Sequence, residues 1–227
     1  LPDLPDQAPT LPDWTRAGWV MTGGTMKGGG TLALGSLRWR GGTMTGEGTT
    51  EVSRFAAFEA EAGHDPAEQR VTLELAGRML GLTRPADPPA ADGRALWKSA
   101  DIEASQGGKL IVGADTANRE NDERFRLEVR GGDPENPLIF KSSDDTGALH
   151  VREAGSLRIG SDHALTVETA FTNAGEVEVG SDAVLTLTGG STVGGRFTTH
   201  SDFRDDSGLV VFAGGEHKLR GAQLLGG

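Results

Sequence analysis

The stretch Gly155-Ser-Leu-Arg-Ile-Gly-Ser-Asp-His-Ala-Leu-Thr-Val-Glu168 returns twenty residues later, without a gap, as Gly175-Glu-Val-Glu-Val-Gly-Ser-Asp-Ala-Val-Leu-Thr-Leu-Thr188. Each copy holds two short segments in which apolar and polar residues alternate, joined by the corner Gly-Ser-Asp. Such alternation, rich in β-branched residues, is typical of β-strands, and self-similarity at a fixed period is typical of a solenoid. The duplicated stretch therefore predicts an all-β, single-stranded parallel β-helix, in which equivalent residues of successive coils lie above one another.

The same pattern extends in both directions along the chain. Gly108–Asp115 matches the first segment of the repeat, with its partner Phe125–Val129 delayed by an insertion, and Phe197–Asp202 continues the series forwards. Near the amino terminus, 23–34 and 41–52 form a second repeat with an offset of eighteen. At roughly twenty residues per coil, the chain would hold about nine or ten coils. The usual hand of parallel crossovers predicts a right-handed helix.

The sequence divides into a short strap and one repetitive domain. Residues 1–16 carry four of the ten prolines, and proline cannot donate to a ladder, so they read as a linker or strap. Residues 17–227 are predicted to form the β-helix. Four polar insertions interrupt it and are expected to project as loops: Glu61–Arg70, Thr83–Gly93, Thr116–Arg124 and Gly131–Pro137.

Composition narrows the partners that the chain can have. A net charge of −11 disfavours a nucleic-acid partner and docking on anionic membrane. No stretch is apolar enough to insert into a membrane, and the absence of Cys excludes disulfides and thiolate zinc sites. Because the chain begins Leu-Pro-Asp and carries no signal peptide, we expect a processed product or a piece of a longer polypeptide.

Several phrases resemble the coils of bacterial secreted parallel β-helix proteins. They are Trp39-Arg-Gly-Gly-Thr-Met-Thr-Gly-Glu-Gly-Thr-Thr50, Leu75-Ala-Gly-Arg-Met-Leu80, Phe171-Thr-Asn-Ala-Gly-Glu-Val-Glu-Val-Gly-Ser-Asp182 and Val211-Phe-Ala-Gly-Gly-Glu-His-Lys-Leu219. The similar proteins are autotransporter passengers and adhesins of the filamentous-haemagglutinin type. The resemblance implies an extracellular or cell-surface location and an elongated adhesive or scaffolding role.

The aspartates of the corners are the candidate metal ligands. Asp162, Asp182 and Asp202 recur at intervals of twenty, so they would form a column along the helix. Adjacent carboxylates about 4.8 Å apart would repel by about 0.9 kcal/mol in water, and a Ca²⁺ ion would relieve that repulsion. The competing interpretation is that each Asp caps its own corner and needs no cofactor.

Other chemistry-bearing residues give weaker patterns. Asp144-Asp145 and Asp205-Asp206 resemble the paired carboxylates of β-helical polysaccharide hydrolases, but Asp is also ordinary in such corners. The five His have no ligand spacing. Trp19, Trp39 and Trp97 would form a sugar-stacking platform if they shared one exterior face, and core or end packing is an equal alternative.

The sequence as a whole favours a structural module over an enzyme, without deciding the matter. We expect a non-enzymatic stalk, filament element or matrix scaffold that self-associates or meets neighbouring subunits by end-to-end stacking, and that contacts a glycan or a host surface through its loops. The alternatives are a glycan-active β-helix, either lyase or hydrolase, and a non-catalytic glycan-binding module. The first alternative requires converging carboxylates on one face, and the second requires exposed Trp.

Overall fold

The computed structural model describes residues 18–60, 71–83, 93–114, 125–201 and 207–226. The proline-rich strap and the insertions at 61–70 and 116–124 lie outside these ranges, as does most of the insertion at 83–93. Within the described ranges every regular element is a β-strand, and the same ranges contain no helix long and apolar enough to cross a membrane.

Twenty-three strands follow one another along the chain. They are β1 (Gly18–Met21), β2 (Thr25–Lys27), β3 (Thr31–Trp39), β4 (Thr43–Thr45), β5 (Thr49–Phe58), β6 (Val71–Ala76), β7 (Met79–Leu82), β8 (Arg94–Trp97), β9 (Ala100–Ser105), β10 (Lys109–Val112), β11 (Phe125–Val129), β12 (Leu138–Lys141), β13 (Ala148–Val151), β14 (Gly155–Ile159), β15 (Ala164–Val167), β16 (Ala170–Asn173), β17 (Glu176–Val179), β18 (Val184–Leu187), β19 (Ser191–Val193), β20 (Arg196–Thr199), β21 (Leu209–Phe212), β22 (His217–Leu219) and β23 (Gln223–Gly226).

These strands form two parallel sheets that the chain visits in rotation. The eight-stranded sheet, called row 1 here, runs β2-β4-β6-β9-β12-β15-β18-β21. The fifteen-stranded sheet contains two further rows, because the long strands β3 and β5 bend and belong to both. Row 2 comprises the first halves of β3 and β5 with β7, β10, β13, β16, β19 and β22; row 3 comprises β1, the second halves of β3 and β5, and β8, β11, β14, β17, β20 and β23. A chain that winds through parallel rows in this way has the architecture of a β-solenoid.

The twenty-residue repeat appears directly as strand register. Leu157 pairs with Val177 and Ile159 with Val179 in row 3, and all four side chains are buried. In row 1 the register aligns β15 with β18 at the same offset. The predicted stacking of the duplicated stretch is therefore confirmed.

Each complete coil has three strands, where the sequence pattern indicated two. The additional strand lies in row 2 and is β16 in one copy and β19 in the next. The sequence does not show this strand clearly, because two of its inward positions hold the polar residues Asn173 and Ser191, which are nevertheless buried. Polar residues at inward positions break the alternation that marks a strand.

The interior is a continuous apolar column with aromatic rings in edge-to-face contact. Trp39, Phe58, Trp97 and Phe140 follow one another from coil to coil, with ring centroids 6.2–6.3 Å apart. Edge-to-face pairs at this separation are favourable beyond the area that they bury. The stacking therefore stabilises the contact between coils as well as the burial of each ring.

The glycine at the start of the repeat is required by the close approach of neighbouring coils. A Cβ atom on Gly175 would overlap the carbonyl oxygens of Arg152 and Gly155, and one on Gly195 would overlap that of Gly175. Backbone, unlike the end of a flexible side chain, cannot move aside without disturbing the ladder. Gly23, by contrast, has no atom within 4 Å of the position that a Cβ would occupy.

The substitution Gly175→Ala should therefore lower the free energy of unfolding by about 1–3 kcal/mol, the usual cost of overpacking. Gly23→Ala is the matched control, and its effect should stay within about 0.5 kcal/mol. Chemical denaturation of both variants measures the difference. Equal effects of the two substitutions would show that coil contact does not explain the glycine.

Candidate functional site

The two described corner aspartates adopt a left-handed backbone conformation. Asp162 has a φ of 63° and Asp182 a φ of 56°, in the left-handed region that Asp and Asn tolerate better than other non-glycine residues. The amide of Asp162 donates to the carbonyl of Ser181 in the next coil, at 3.1 Å. Asp202, the third member of the predicted column, lies outside the described residues. Across the described ranges, no group of three or more His, Asp or Glu side chains is placed to hold a metal ion.

Both carboxylate oxygens of Asp144 accept hydrogen bonds from neighbouring groups of the protein. One oxygen accepts hydrogen bonds from the Thr146 hydroxyl at 2.7 Å and from the Ser142 hydroxyl at 3.0 Å. The other accepts from the amide of Gln106, one coil away, at 2.6 Å. These bonds, the one from the Thr146 hydroxyl first among them, lower the pKa of Asp144 to about 2. A carboxylate held ionised in this way joins two coils and is poorly suited to act as a general acid.

The tryptophans do not form an exterior platform. Trp39 and Trp97 are fully buried in the core, whereas Trp19 is 40% exposed. The indole N–H of Trp97 donates to the carbonyl of Ala100. Of the two alternatives that the sequence left open, core packing holds for Trp39 and Trp97.

Two of the described histidines, His163 and His217, contact other groups of the protein through their rings. Nδ1 of His163 lies 3.3 Å from the carbonyl oxygen of Gly132. Nδ1 of His217 lies 2.9 Å from the Ser191 hydroxyl, and the ring of His217 packs edge-on against Phe212. His64, Asp205 and Asp206 lie outside the described residues. The structure therefore does not bring the described His and Asp candidates together in one site.

A buried arginine that the sequence patterns did not single out connects three coils. Arg78 is only 3% exposed. Its guanidinium donates to the Gly28 carbonyl at 2.7 Å, the Thr49 carbonyl at 3.0 Å and the Thr50 hydroxyl at 2.8 Å. Burial lowers the pKa of Arg78. The flanking glycine-rich corners expose the carbonyl groups that this one side chain satisfies, so its role is structural.

The coil formed by β21, β22 and β23 ends in exposed core positions. Phe212, Leu219 and Leu224 occupy inward columns above Leu187, Val193 and Phe197. The three lower residues are 0–2% exposed, whereas the three upper ones are 36–58% exposed. This surface, called the open end below, comprises Phe212, Leu219 and Leu224. It is an apolar cross-section of the interior.

The outer surface of row 3 is a second distinctive region. This surface comprises the outward positions of the row-3 strands and the residue that directly follows each strand. Among the described residues, these positions hold eight basic and four acidic side chains. We call this surface the row-3 strip, and its charged members are Arg38, Arg40, Arg94, Lys98, Arg126, Arg130, Arg158, Arg196, Glu59, Glu128, Glu176 and Glu178.

Two glutamates of the strip lie beneath clusters of basic residues. Glu59 accepts from Arg40 at 3.1 Å and from Lys98 at 3.2 Å, and Arg38 lies 3.6 Å away. Glu128 contacts Arg94 and Arg130, each at 3.0 Å. Burial works to raise the pKa of Glu59 and of Glu128, but hydrogen bonds and positive charge from their basic neighbours outweigh it, so both pKa values lie below the ordinary one.

Comparison with known proteins does not assign the chain to a family. No family model, curated protein or solved structure matches the chain. The two distinctive surfaces of the described residues are the open end and the row-3 strip.

The lowered pKa of Glu128 predicts a pH-dependent contribution to stability. The contribution is fully present above the unfolded-state pKa near 4.5 and is lost as the pH falls through the lower folded-state value. Glu128→Gln should cost on the order of 1–2 kcal/mol at pH 7, because Arg94 and Arg130 lose their charged acceptor.

Melting temperatures measured from pH 7 to pH 3 check this expectation. The gap between the wild type and Glu128→Gln should stay constant down to about pH 5 and then narrow. Glu153→Gln removes an exposed carboxylate as the control. A gap that persists unchanged to pH 3 would contradict the assigned role of Glu128.

Proposed function

We propose that this chain is a non-enzymatic structural module of a bacterial secreted or surface protein, built to extend by end-to-end stacking. It would serve as an element of a stalk, filament or matrix scaffold outside the cell. The proposal requires no cofactor and no catalytic residue. A right-handed winding, a total of about nine or ten coils and insertions that project as polar loops belong to the same proposal.

The open end is the observation that carries the proposal. Leu219 and Leu224 are 52% and 58% exposed, while their counterparts one coil below are at most 2% exposed. Inward positions of a coil are buried only when another coil lies above them. Covering a leucine side chain contributes about 1.5–3 kcal/mol, so a further coil on this end would be strongly favoured.

The strand edges of the same coil also favour contact with a further coil. Among the described strands, β21, β22 and β23 each have a sheet neighbour on one side only. An exposed strand edge presents free N–H and C=O groups, and it pairs with another strand unless it is covered. At the other end of the described residues, β1 and β2 are likewise edge strands, and Trp19 is partly exposed.

The two ends are compatible because every ladder in the stack is parallel. Joining β21–β23 of one copy to the first coil of the next would continue the same strand direction. Such a contact is heterologous, since different surfaces meet, and it generates an open assembly. The product would be a fibre whose length depends on concentration.

The matched pair Leu224→Glu and Leu225→Glu tests the proposal. Both residues lie on β23 and are exposed, but Leu224 stacks on the inward Phe197 and Leu225 on the outward Thr198. Sedimentation velocity and electron microscopy should show concentration-dependent fibres for the wild type. Leu224→Glu should raise the concentration needed for assembly at least tenfold, because a carboxylate would be buried at the joint.

Leu225→Glu should assemble like the wild type. A wild-type chain that stays monomeric at all accessible concentrations would overturn the proposal. Equal sensitivity to the two substitutions would also overturn it, since the joint would then not involve the inward columns.

A further inference from the structure

The row-3 strip carries a charge opposite to that of the chain as a whole. The chain has a net charge of −11, yet the strip holds eight basic side chains against four glutamates. The outward side of row 1 has the opposite balance, with the four acidic residues Glu74, Asp101, Glu103 and Glu168 against the two basic residues Lys27 and Lys141. The charges are thus sorted to different sides of the solenoid.

Within the strip, the basic groups lie outermost. The side chains of Arg38, Arg94 and Arg196 are 46–52% exposed, whereas those of Glu59 and Glu128 are 11–13% exposed. Arg126 points outward, is exposed and makes no ion pair with any described residue. The other seven basic groups of the strip each lie 3.0–3.9 Å from a glutamate of the strip. The surface that a partner meets therefore carries an excess of four positive charges, with the basic groups outermost and the carboxylates between and below them.

The strip is long. It runs from β3 to β20 across seven strands of row 3, five of which contribute its basic side chains, whereas β5 and β17 contribute only glutamates. At about 4.8 Å between neighbouring strands, that distance is about 29 Å along the axis. A basic strip of this length fits a linear polymer better than a small molecule.

We infer that the row-3 strip binds a linear carboxylated polysaccharide, lying along the solenoid axis. Guanidinium groups pair with carboxylates through two parallel hydrogen bonds, which gives both affinity and orientation. This binding is independent of end-to-end stacking, because the strip lies on the side of the solenoid and the open end lies on its axis.

The lack of stacking groups argues against a single-stranded nucleic acid as the occupant. Single-stranded nucleic acids are held by exposed aromatic side chains as well as by basic grooves. The described part of the strip offers no fully exposed aromatic ring, and Phe55 is only partly exposed.

Polygalacturonate is the probe for the test, with its fully methyl-esterified form as the uncharged polymer of the same backbone. The strip variant is Arg94→Gln/Arg126→Gln/Arg158→Gln. The control variant, Lys27→Gln/Lys109→Gln/Lys141→Gln, removes the same charge from other surfaces. Titration calorimetry at low and physiological salt measures the dissociation constants, and circular dichroism verifies that both variants are folded.

We expect polygalacturonate to bind the wild type, with affinity that falls as salt rises. The strip variant should bind at least tenfold more weakly, and the control variant should change less than threefold. Leu224→Glu should leave the affinity per chain unchanged, so loss of assembly and loss of binding are separate results.

Three outcomes would overturn the inference. If the esterified polymer bound as tightly as polygalacturonate, pairing of guanidinium groups with carboxylates would not explain the affinity. Tighter binding of single-stranded DNA than of polygalacturonate would identify a different class of partner. Salt-sensitive lateral dimers that the strip variant abolishes, without any binding of polygalacturonate, would show that the strip meets the acidic row of a second copy.

Discussion

The structure depends on one constraint, which is that each strand lies about 4.8 Å above its equivalent in the previous coil. At that spacing a residue has the same environment as its partners above and below. Every inward column must therefore be compatible with burial along its whole length. Every corner must also let two backbones approach, which is why Gly175 faces the carbonyl groups of Arg152 and Gly155.

The same constraint produces the two candidate functional surfaces. The inward columns of Leu187, Val193 and Phe197 stay apolar up to the last described coil and are exposed there, as at Leu224. An outward column aligns the side chains of successive coils along the axis, so basic residues from several coils form one charged strip. Both features follow from the stacking and involve no pocket and no cluster of catalytic groups.

The parts of the fold that could be predicted from the sequence are those in which the coil length is constant. Leu157 and Val177 stand at an offset of twenty and pair as expected. The contacts of Glu59 and Glu128 could not be predicted, because insertions place their partners up to 39 and 34 residues away. The orientation of Trp39 and Trp97 was also undecided, since Trp is common both inside a core and on a binding face.

The register of the repeat is the central claim, and a disulfide measurement tests it most directly. The chain has no cysteine, and the outward residues Thr166 and Thr186 are partners on adjacent strands of row 1. At about 4.8 Å between neighbouring strands, their Cα atoms lie within the range of about 4.4–6.8 Å seen in disulfides, whereas a partner two residues further along lies beyond it. Oxidation should form the bridge to a much greater extent in Thr166→Cys/Thr186→Cys than in Thr166→Cys/Thr188→Cys. The reverse result, or equal bridging in both variants, would contradict the twenty-residue stacking on which the whole account depends.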